Sequence, residues 1–316
     1  MPPLQPRSIA VIGAGGVGAL LAGMLARSGH DVRVLARGAT LTAIREHGIH
    51  LRGPDQHTVA PIARAADDVA ALGGVVDIVL VAVKAWQLTA LGPRLAPIVG
   101  DRTVVVPLQN GVEASEQLAT ALGDARVLGG VARVIAWADR PGAVHWMGAP
   151  PALTIGSRVP GPNELVESCA AALRAGGIDI AVSKTIERAR WSKFLFIAPY
   201  SAVGAVERAP LGVIRKAPQA RVRLQASMFE IAALAAARGV VLPPDAVAVA
   251  LQRLDELPPD ATASMHRDIV EGRPSELHEL IGAVVRLGRE SGVATPVSAE
   301  LYAQLEPLER KARGQA

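Results

Sequence analysis

The segment Gly13–Gly18, with the sequence GAGGVG, constrains the fold of this chain more than any other. It follows Ser8–Ile12, a short apolar run rich in β-branched residues, and it opens a segment with apolar residues at helical spacing. A second apolar run, Asp31–Leu35, begins at the distance expected of the next strand. Strand, glycine turn and helix in this order predict a parallel sheet covered by helices, of the Rossmann type.

The glycines of this loop have separate physical roles. Gly13 permits the tight turn, Gly15 lets the backbone approach a pyrophosphate, and Gly18 allows the helix to pack closely on the strand. The N–H groups and the dipole at the start of the helix attract phosphates. The alternative is a glycine-rich turn without a ligand. We predict a dinucleotide site formed by Gly13, Ala14, Gly15, Gly16, Val17 and Gly18.

The end of the second strand bears on which dinucleotide binds. NAD sites usually carry Asp or Glu there, which accepts hydrogen bonds from the ribose hydroxyls. This chain has Leu35-Ala36-Arg37 and no carboxylate. Arg37 can form charge-assisted hydrogen bonds to a 2′-phosphate, so we predict NADP(H) as the cofactor. A solvated surface arginine is the alternative interpretation of Arg37.

The alternation of strands and helices ends near Ser183–Thr185, and beyond that point the sequence predicts helices only. We therefore predict an α/β chain with two domains: residues 1–184 form an N-terminal Rossmann-type dinucleotide-binding domain and residues 185–316 an all-helical C-terminal substrate and catalytic domain. The predicted strands of the first domain are Ser8–Ile12, Asp31–Leu35, Ile49–Leu51, His57–Ala60, Asp77–Val83, Thr103–Pro107, Val127–Trp137, Ala143–Met147 and Leu153–Ile155. Its predicted helices are Val17–Ser28, Leu41–Glu46 and Asn163–Ala175. The predicted helices of the second domain are Glu187–Tyr200, Gln219–Arg238, Asp245–Leu254, Ser264–Val270 and Pro274–Glu290.

Composition excludes several classes of function. The net charge is only +4 in 316 residues and no run of five Lys or Arg occurs, so we expect no nucleic-acid partner. Cys169 is the only cysteine, which excludes an internal disulfide and a cysteine-based zinc cluster, and the histidines show no spacing typical of metal ligands. No apolar stretch reaches about 18 residues, so we expect no membrane span. The first residues do not resemble a signal peptide, and we expect a cytoplasmic protein.

Five further motifs follow the glycine loop in order. They resemble the motif series of the ketopantoate reductases (2-dehydropantoate 2-reductases), and the resemblance extends from Ser8 to about Ser298. The motifs are Val81-Ala82-Val83-Lys84-Ala85-Trp86-Gln87, Gln109-Asn110-Gly111, Trp191-Ser192-Lys193-Phe194, Ser264-Met265-His266-Arg267-Asp268 and Gly272-Arg273-Pro274-Ser275-Glu276.

The resemblance implies an activity and a role for each matching residue. Members of that family reduce ketopantoate to pantoate with NADPH, on the way to pantothenate. Lys193 would be the proton donor, Ser264 would hold the substrate, and Glu276 would lie near Lys193 and the cofactor. Asn110 would face both the substrate and the cofactor. The residues that would hold the cofactor are the glycine loop, Arg37, Lys84, Asn110 and Glu276.

The chemistry of these residues is compatible with those roles, although each has a structural alternative. Lys193 is the only charged residue from Trp191 to Val206. Apolar surroundings lower the pKa of a lysine, which suits a proton donor, while a lysine that extends to water is the alternative. Lys84 and Asn110 follow predicted strands, where ligands bind in open sheets, but they also suit an exposed strand end and a turn. Ser264 suits a helix cap and Glu276 the first turn of a helix.

Two positions depart from the family pattern. Ketopantoate reductases of the best-known type carry asparagines four and eight residues after the catalytic lysine, and here these positions are Ile197 and Ser201. Ser201 can still bind a substrate through a hydrogen bond, whereas Ile197 cannot, so we expect a more apolar or less selective pocket. Pro199 lies between them and predicts a kink.

Three functions therefore stay open. The favoured one is NADPH-dependent reduction of a 2-oxo acid, with ketopantoate as the preferred substrate. The same chemistry on another branched or bulky 2-oxo acid is the first alternative, and a non-catalytic NADP(H) sensor is the second. The apolar stripe in Leu224–Ala237 is compatible with a homodimer face and equally with the helical core.

Overall fold

The computed structural model describes residues 5–54, 57–159 and 164–315. Contacts divide the chain into two compact units. The first contains Met1–Gln109 and Glu113–Ile186, and the second contains Asn110–Val112 and Glu187–Ala316. This division lies two residues from the predicted boundary at residue 184. It also assigns Asn110–Val112 to the second unit, which the sequence did not predict.

The first unit is built around a five-stranded parallel sheet. Its order is β5-β2-β1-β6-β7, and every pair in it is parallel. Buried side chains cover both faces of β1, β6 and β7, as the near-continuous apolar runs predict for strands between helices. The strands of the chain are β1 (Ser8–Ile12), β2 (Asp31–Leu35), β3 (Ile49–Arg52), β4 (His57–Ala60), β5 (Arg64–Ala66), β6 (Ile78–Val81), β7 (Val104–Pro107), β8 (Gly129–Arg140), β9 (Ala143–Gly156) and β10 (Asp179–Val182).

A second, mixed sheet of the same unit has the order β10-β9-β3-β4, and β8 pairs with β9. The prediction of two separate strands over 143–155 was wrong, because β9 is one strand of 14 residues. Its pairing with β8 breaks between Met147 and Ala152, where Pro150 and Pro151 cannot donate ladder hydrogen bonds. The sequence analysis also missed β10, which pairs in parallel with β9 and needs that partner to form.

The helices flank the first sheet and form nearly all of the second unit. Three 3₁₀ helices cover Ala70–Leu72, Ala85–Gln87 and Gly92–Ile98. Unit 1 contains α1 (Gly16–Arg27), α2 (Gly38–His47), α3 (Leu88–Leu91), α4 (Ala114–Leu122) and α5 (Glu164–Ala175), and residue 163, predicted to begin the last of these, lies outside the described residues. Unit 2 contains α6 (Ile186–Glu207), α7 (Leu211–Ile214), α8 (Pro218–Ala237), α9 (Ala246–Glu256), α10 (Ser264–Val270), α11 (Ile281–Ser291) and α12 (Pro296–Ala312).

The described residues of the second unit contain no strand, and the predicted fold class, an N-terminal Rossmann-type domain with a helical C-terminal domain, is confirmed. α6 continues through Pro199 to Glu207, although a proline cannot donate a hydrogen bond to the preceding turn. The apolar stripe of α8 is mainly core, since Leu224, Met228 and Ile231 are fully buried. Phe229 on the same helix is 56% exposed.

The predicted helix Pro274–Glu290 was wrong at its start. α11 begins at Ile281, and residues 277–280 form a turn that follows a bend at residue 276. The N–H of Gly282 donates to the carbonyl of Leu277, five residues back, so the regular helical pattern does not extend to Glu276. Glu276 therefore does not lie in the first turn of a helix. Among the described residues, no helix combines the length and the apolar character that crossing a membrane requires.

Candidate functional site

The predicted cofactor residues of the first unit follow three neighbouring strands. Ile12 at the end of β1 pairs with Leu35 of β2 on one side and with Val81 of β6 on the other. The carboxyl ends of these parallel strands lie at one edge of the sheet, so the glycine loop, Arg37 and Lys84 follow at that edge. The strand order also reverses beside β1, and ligands bind at such switch points in open α/β sheets.

The four glycines of the loop meet different surroundings. Gly13 has a φ of +106°, and a Cβ there would lie 2.9 Å from the backbone N of Val83. A Cβ on Gly18 would collide with the carbonyl oxygen of Gly13, and one on Gly16 would lie 2.5 Å from the carbonyl oxygen of Ala136 in β8. Gly15 differs, because no atom lies within 4 Å of its Cβ position. Packing thus requires three of the glycines, while Gly15 leaves space for a ligand.

The start of α1 is suited to an anion. Gly15 occupies the N-cap position and no side chain caps the helix there. Ala14 and Val17 are half-buried against the core of the unit, which holds the loop in place. These residues fit the pyrophosphate of a dinucleotide, since the helix presents N–H groups, a favourable dipole and an open approach at one point.

Two cations accompany the loop at this edge of the sheet. Arg37 is exposed and its backbone occupies the N-cap position of α2. The Nζ of Lys84 lies 5.7 Å from the ring centroid of Trp86, within the range of a cation–π contact. Gln109, in the motif that follows β7, donates from Nε2 to the carbonyls of Val81 and Val83 at 3.0 and 2.8 Å. That side chain fixes the end of β6 from which Lys84 extends.

The helical unit contains Lys193 on α6. Its neighbours Trp191 and Phe194 are buried and meet edge to face at 5.7 Å between ring centroids. Lys193 itself is half-buried, as are Phe196 and Ile197 one turn later. The lysine therefore lies on a helix face whose next turn is apolar, as its isolation in the sequence predicted.

Asn110–Val112 is anchored to the same helix. Arg190 is 3% exposed, and its Nη2 donates to the carbonyl of Val112. Its Nη1 donates to both carboxylate oxygens of Glu187, at 2.6 and 2.8 Å. Arg190 and Lys193 are three residues apart, and side chains at that spacing share a helix face. The anchor thus ties the carbonyl of Val112, two residues after Asn110, to a residue of α6 that lies three positions before Lys193.

The residue before Glu276 is clamped to α12. Both carboxylate oxygens of Glu309 accept the backbone N–H of Ser275 at 3.0 Å, and one of them also accepts its hydroxyl. Arg313 donates to Glu309 at 2.6 Å and to the carbonyl of Ser275 at 2.9 Å. Ser275 and the side chain of Glu309 are fully buried. The clamp therefore fixes the backbone from which the buried Glu276 extends.

The two predicted substrate serines lie in different environments. Ser264 is the first residue of α10 and is half-buried, and the N-cap position belongs to Ala263, so the helix-cap interpretation of Ser264 does not hold. Ser201 is 1% exposed, and its Oγ has no hydrogen-bond partner among the described residues. A residue that contacts a substrate directly needs an accessible side chain, and Ser201 is instead buried in the helical core.

Sequence reasoning missed the residues that hold the site in place. Gln109 was part of a recognised motif, but its role as a brace of β6 depends on a contact across two strands. Glu309 and Arg313 are four residues apart on a helix and look like a solvated ion pair in the sequence. Arg190 carries no local signal, because its burial depends on Asn110–Val112. Within the described ranges, no group of three or more His, Cys, Asp or Glu side chains is arranged to hold a metal ion.

Comparison with known proteins places this geometry in a family. Residues 9–160 match the family "Ketopantoate reductase PanE/ApbA", and residues 185–309 match "Ketopantoate reductase PanE/ApbA C terminal". A 2-dehydropantoate 2-reductase of Mycobacterium tuberculosis is 32% identical over 295 residues, which cover 92% of this chain and 94% of the relative.

Solved structures agree in fold. A PanE/ApbA family ketopantoate reductase from Ralstonia eutropha JMP134 has a TM-score of 0.88 and 30% identity, with 97% of this chain and 99% of that chain covered. A D-mandelate dehydrogenase solved with NADH and anilino(oxo)acetate has the same TM-score at 21% identity, covering 97% of this chain and 99% of its own, and shares the fold. The matches extend over both units, and the chain is an oxidoreductase that belongs to the ketopantoate reductase PanE/ApbA family.

Proposed function

We propose that the chain catalyses the NADPH-dependent reduction of a 2-oxo acid, with 2-dehydropantoate as the preferred substrate and pantoate as the product for pantothenate biosynthesis. The observation that carries the proposal is the grouping of Asn110 with Lys193, Ser264 and Glu276 in one compact unit. These four residues match the family motifs, and they come from distant parts of the sequence. A non-catalytic sensor of NADP(H) would have no need of a buried carboxylate in a clamped turn.

The first unit supplies a fitting site for the cofactor. Gly13–Gly18 and the start of α1 would bind the pyrophosphate, Arg37 would bind the 2′-phosphate, and Lys84 would meet a further phosphate or a ribose. Asn110 and Glu276 would complete the contacts from the other motifs. When bound, NADPH supplies the hydride for the carbonyl carbon of the substrate.

The residues of the helical unit account for the rest of the reaction. As the carbonyl carbon gains hydride, negative charge develops on its oxygen, and the ammonium of Lys193 stabilises that charge and gives the oxygen a proton. Asn110 and Ser264 would orient the substrate. Glu276, held by the Ser275 clamp, would orient Lys193 or a hydroxyl of the cofactor.

The substrate pocket supports a second candidate within the same chemistry. Ile197, one turn after Lys193, is a half-buried aliphatic side chain where well-known family members carry an amide. Ser201 is buried in the core, so we do not propose that it contacts the substrate directly. Both features favour a branched or bulky 2-oxo acid less polar than 2-dehydropantoate as the alternative substrate.

A substrate panel followed by NADPH absorbance tests the proposed function. The panel contains 2-dehydropantoate and 2-oxo acids with branched aliphatic or aromatic side chains, each compared by kcat/KM. We expect 2-dehydropantoate to turn over fastest. A less polar 2-oxo acid that turns over faster would establish the alternative substrate. Tight binding of NADPH without turnover of any 2-oxo acid would instead favour the sensor.

The choice of cofactor is tested by the variant Arg37→Ala. One charge-assisted hydrogen bond is worth about 1.5–3 kcal/mol, so the preference for NADPH over NADH in kcat/KM is expected to fall about tenfold or more. Arg27→Ala is the matched control, because Arg27 is also exposed but is the last residue of α1, at the end of the helix away from the glycine loop. An unchanged preference in Arg37→Ala would assign recognition of the 2′-phosphate to another residue.

A further inference from the structure

The peptide unit that joins Val83 to Lys84 is held at both ends by glutamine side chains. The Nε2 of Gln109 donates to the carbonyl of Val83 at 2.8 Å. The N–H of Lys84 belongs to the same peptide unit and donates to the Oε1 of Gln87 at 3.1 Å. A peptide unit is planar, so contacts at its two ends fix its orientation and with it the position of the Cα from which the lysine side chain extends.

Gln109 also holds the strand that leads into this peptide unit. Its Nε2 donates a second hydrogen bond, at 3.0 Å, to the carbonyl of Val81, the last residue of β6. Ala82 lies between the two acceptors, and its own N–H donates to the carbonyl of Ile12 in β1 at 2.8 Å. Loss of the Gln109 amide therefore leaves Ala82 attached to β1 and loosens chiefly the carbonyl of Val83.

The amide of Gln109 contains one unmatched atom. Both partners of its Nε2 are carbonyl oxygens, which only accept, so the nitrogen and the oxygen of this amide cannot exchange places. Gln109 is 8% exposed, and its Oε1 is buried without a hydrogen-bond partner among the described residues. A buried acceptor without a donor lowers stability. It offsets the two hydrogen bonds of Nε2, so stability alone gives little reason for a glutamine at this position.

We propose that Gln109 is a positioning residue for the cofactor and acts through Lys84, by holding the peptide unit before it so that the ammonium is in place when NADPH arrives. The proposal rests on the proposed function, in which Lys84 meets a phosphate or a ribose of NADPH. The Nζ of Lys84 already has a defined location, 5.7 Å from the ring centroid of Trp86. A backbone that is not held must be ordered when the ligand binds, and that ordering weakens affinity.

A double-mutant cycle on the Kd for NADPH, measured without a 2-oxo acid, tests the proposal. Lys84→Ala removes the predicted charge-assisted contact and should raise Kd about tenfold or more. Gln109→Met is similar in length but donates no hydrogen bond, and it should raise Kd about three- to tenfold, as expected when one long side chain must be ordered on binding. In the Lys84→Ala background Gln109→Met should change Kd by less than about twofold, because the group through which it acts is gone.

Thermal unfolding distinguishes positioning from a general loss of structure. The Tm of Gln109→Met should stay within about 4 °C of wild type, since removal of the unmatched oxygen offsets the loss of two hydrogen bonds. Gln109→Leu, also apolar, repeats the cycle so that its result does not depend on how methionine packs. Gln252→Met is the matched control, because Gln252 is an exposed residue of α9 whose amide donates to Glu256, and it should change neither Kd nor Tm.

The outcomes separate this proposal from the proposed function. If the effects of Gln109→Met and Lys84→Ala multiply in the double variant, Gln109 acts through other contacts and the proposal is wrong. An unchanged Kd in either single variant would overturn it as well. A wild-type protein that binds NADPH but reduces no 2-oxo acid would refute the reductase function, while the cycle would still decide whether Gln109 positions Lys84.

Discussion

Replacement of Lys193 by alanine is expected to lower kcat by about 10²–10⁴-fold while the Kd for NADPH stays near the wild-type value. The expected loss is large because two contributions disappear together. In the proposed mechanism the ammonium stabilises the charge that develops on the carbonyl oxygen, and it supplies the proton that this oxygen takes up. Lys193 is not among the residues predicted to bind the cofactor, so we expect the Kd for NADPH to stay near the wild-type value.

A second substitution separates the two contributions. Lys193→Arg keeps a positive charge, but a guanidinium with a pKa above about 12 cannot give up a proton at neutral pH. If proton transfer dominates, kcat of Lys193→Arg should remain close to that of Lys193→Ala. Lys184→Ala removes an exposed lysine shortly before α6 and should leave kcat unchanged. Wild-type turnover in Lys193→Ala, with the protein folded and NADPH bound, would exclude Lys193 from the mechanism.

The strand, glycine turn and helix at the start of the first unit could be predicted from the sequence because their signals are local. β1, the glycine turn and α1 occupy 20 consecutive residues, Ser8 to Arg27. A side chain at Gly13 or Gly18 would clash with the turn itself or with the residues at the end of β6 beside it. Even so, the clash that forbids a side chain at Gly16 comes from β8, more than 100 residues later, and no local pattern could indicate it.

For the proposed catalytic half, the family motifs point to Lys193 and Glu276, and this prediction says nothing about their geometry. Periodicity alone extended a helix over Glu276, whereas the helix begins at Ile281 in the structure. The turn there depends on a clamp from α12, 34 residues along the chain. β10 was missed for a similar reason, because four residues form a strand only when β9 is available to pair with them.

The position of Asn110 shows the same limit. In the sequence, Asn110-Gly111 is an ordinary turn pair after a strand of the parallel sheet, and nothing assigns it to the helical unit. Its assignment follows from Arg190, which binds the carbonyl of Val112, and from the absence of a side chain on Gly111 beside Glu279. Long-range contacts of buried polar groups, rather than secondary structure, assemble the candidate site within this unit.

The clamp between α12 and Ser275 gives the second large expected effect. In Glu309→Gln an NH2 group, which donates, replaces one of the two oxygens that accept the N–H and the hydroxyl of Ser275. The substitution also removes the negative charge that Arg313 binds. Breaking a buried ion pair in this way costs about 3–5 kcal/mol. We expect the Tm of Glu309→Gln to fall by roughly 10 °C, since about 2–4 °C corresponds to 1 kcal/mol in a chain of this size.

The same variant is expected to reduce turnover well below its Tm. Glu276 follows Ser275 directly, so loosening the clamp should displace the carboxylate that we propose to orient the reacting groups, and a displacement of about 1 Å can lower the rate about 10²-fold. Glu300→Gln on the exposed side of α12 provides the control, because it loses a surface ion pair with Arg223 and should change neither Tm nor kcat appreciably.

A comparison of the two readouts decides what the clamp does. If it positions Glu276, the folded Glu309→Gln protein will have a lower kcat at 25 °C, while the Kd for NADPH will change much less than kcat, because Glu276 is only one of several predicted cofactor contacts. If it serves stability alone, Tm will fall while kcat at 25 °C stays at the wild-type value. The buried charge of Glu309 would then act only on folding, and Glu276 would owe its position to its other contacts.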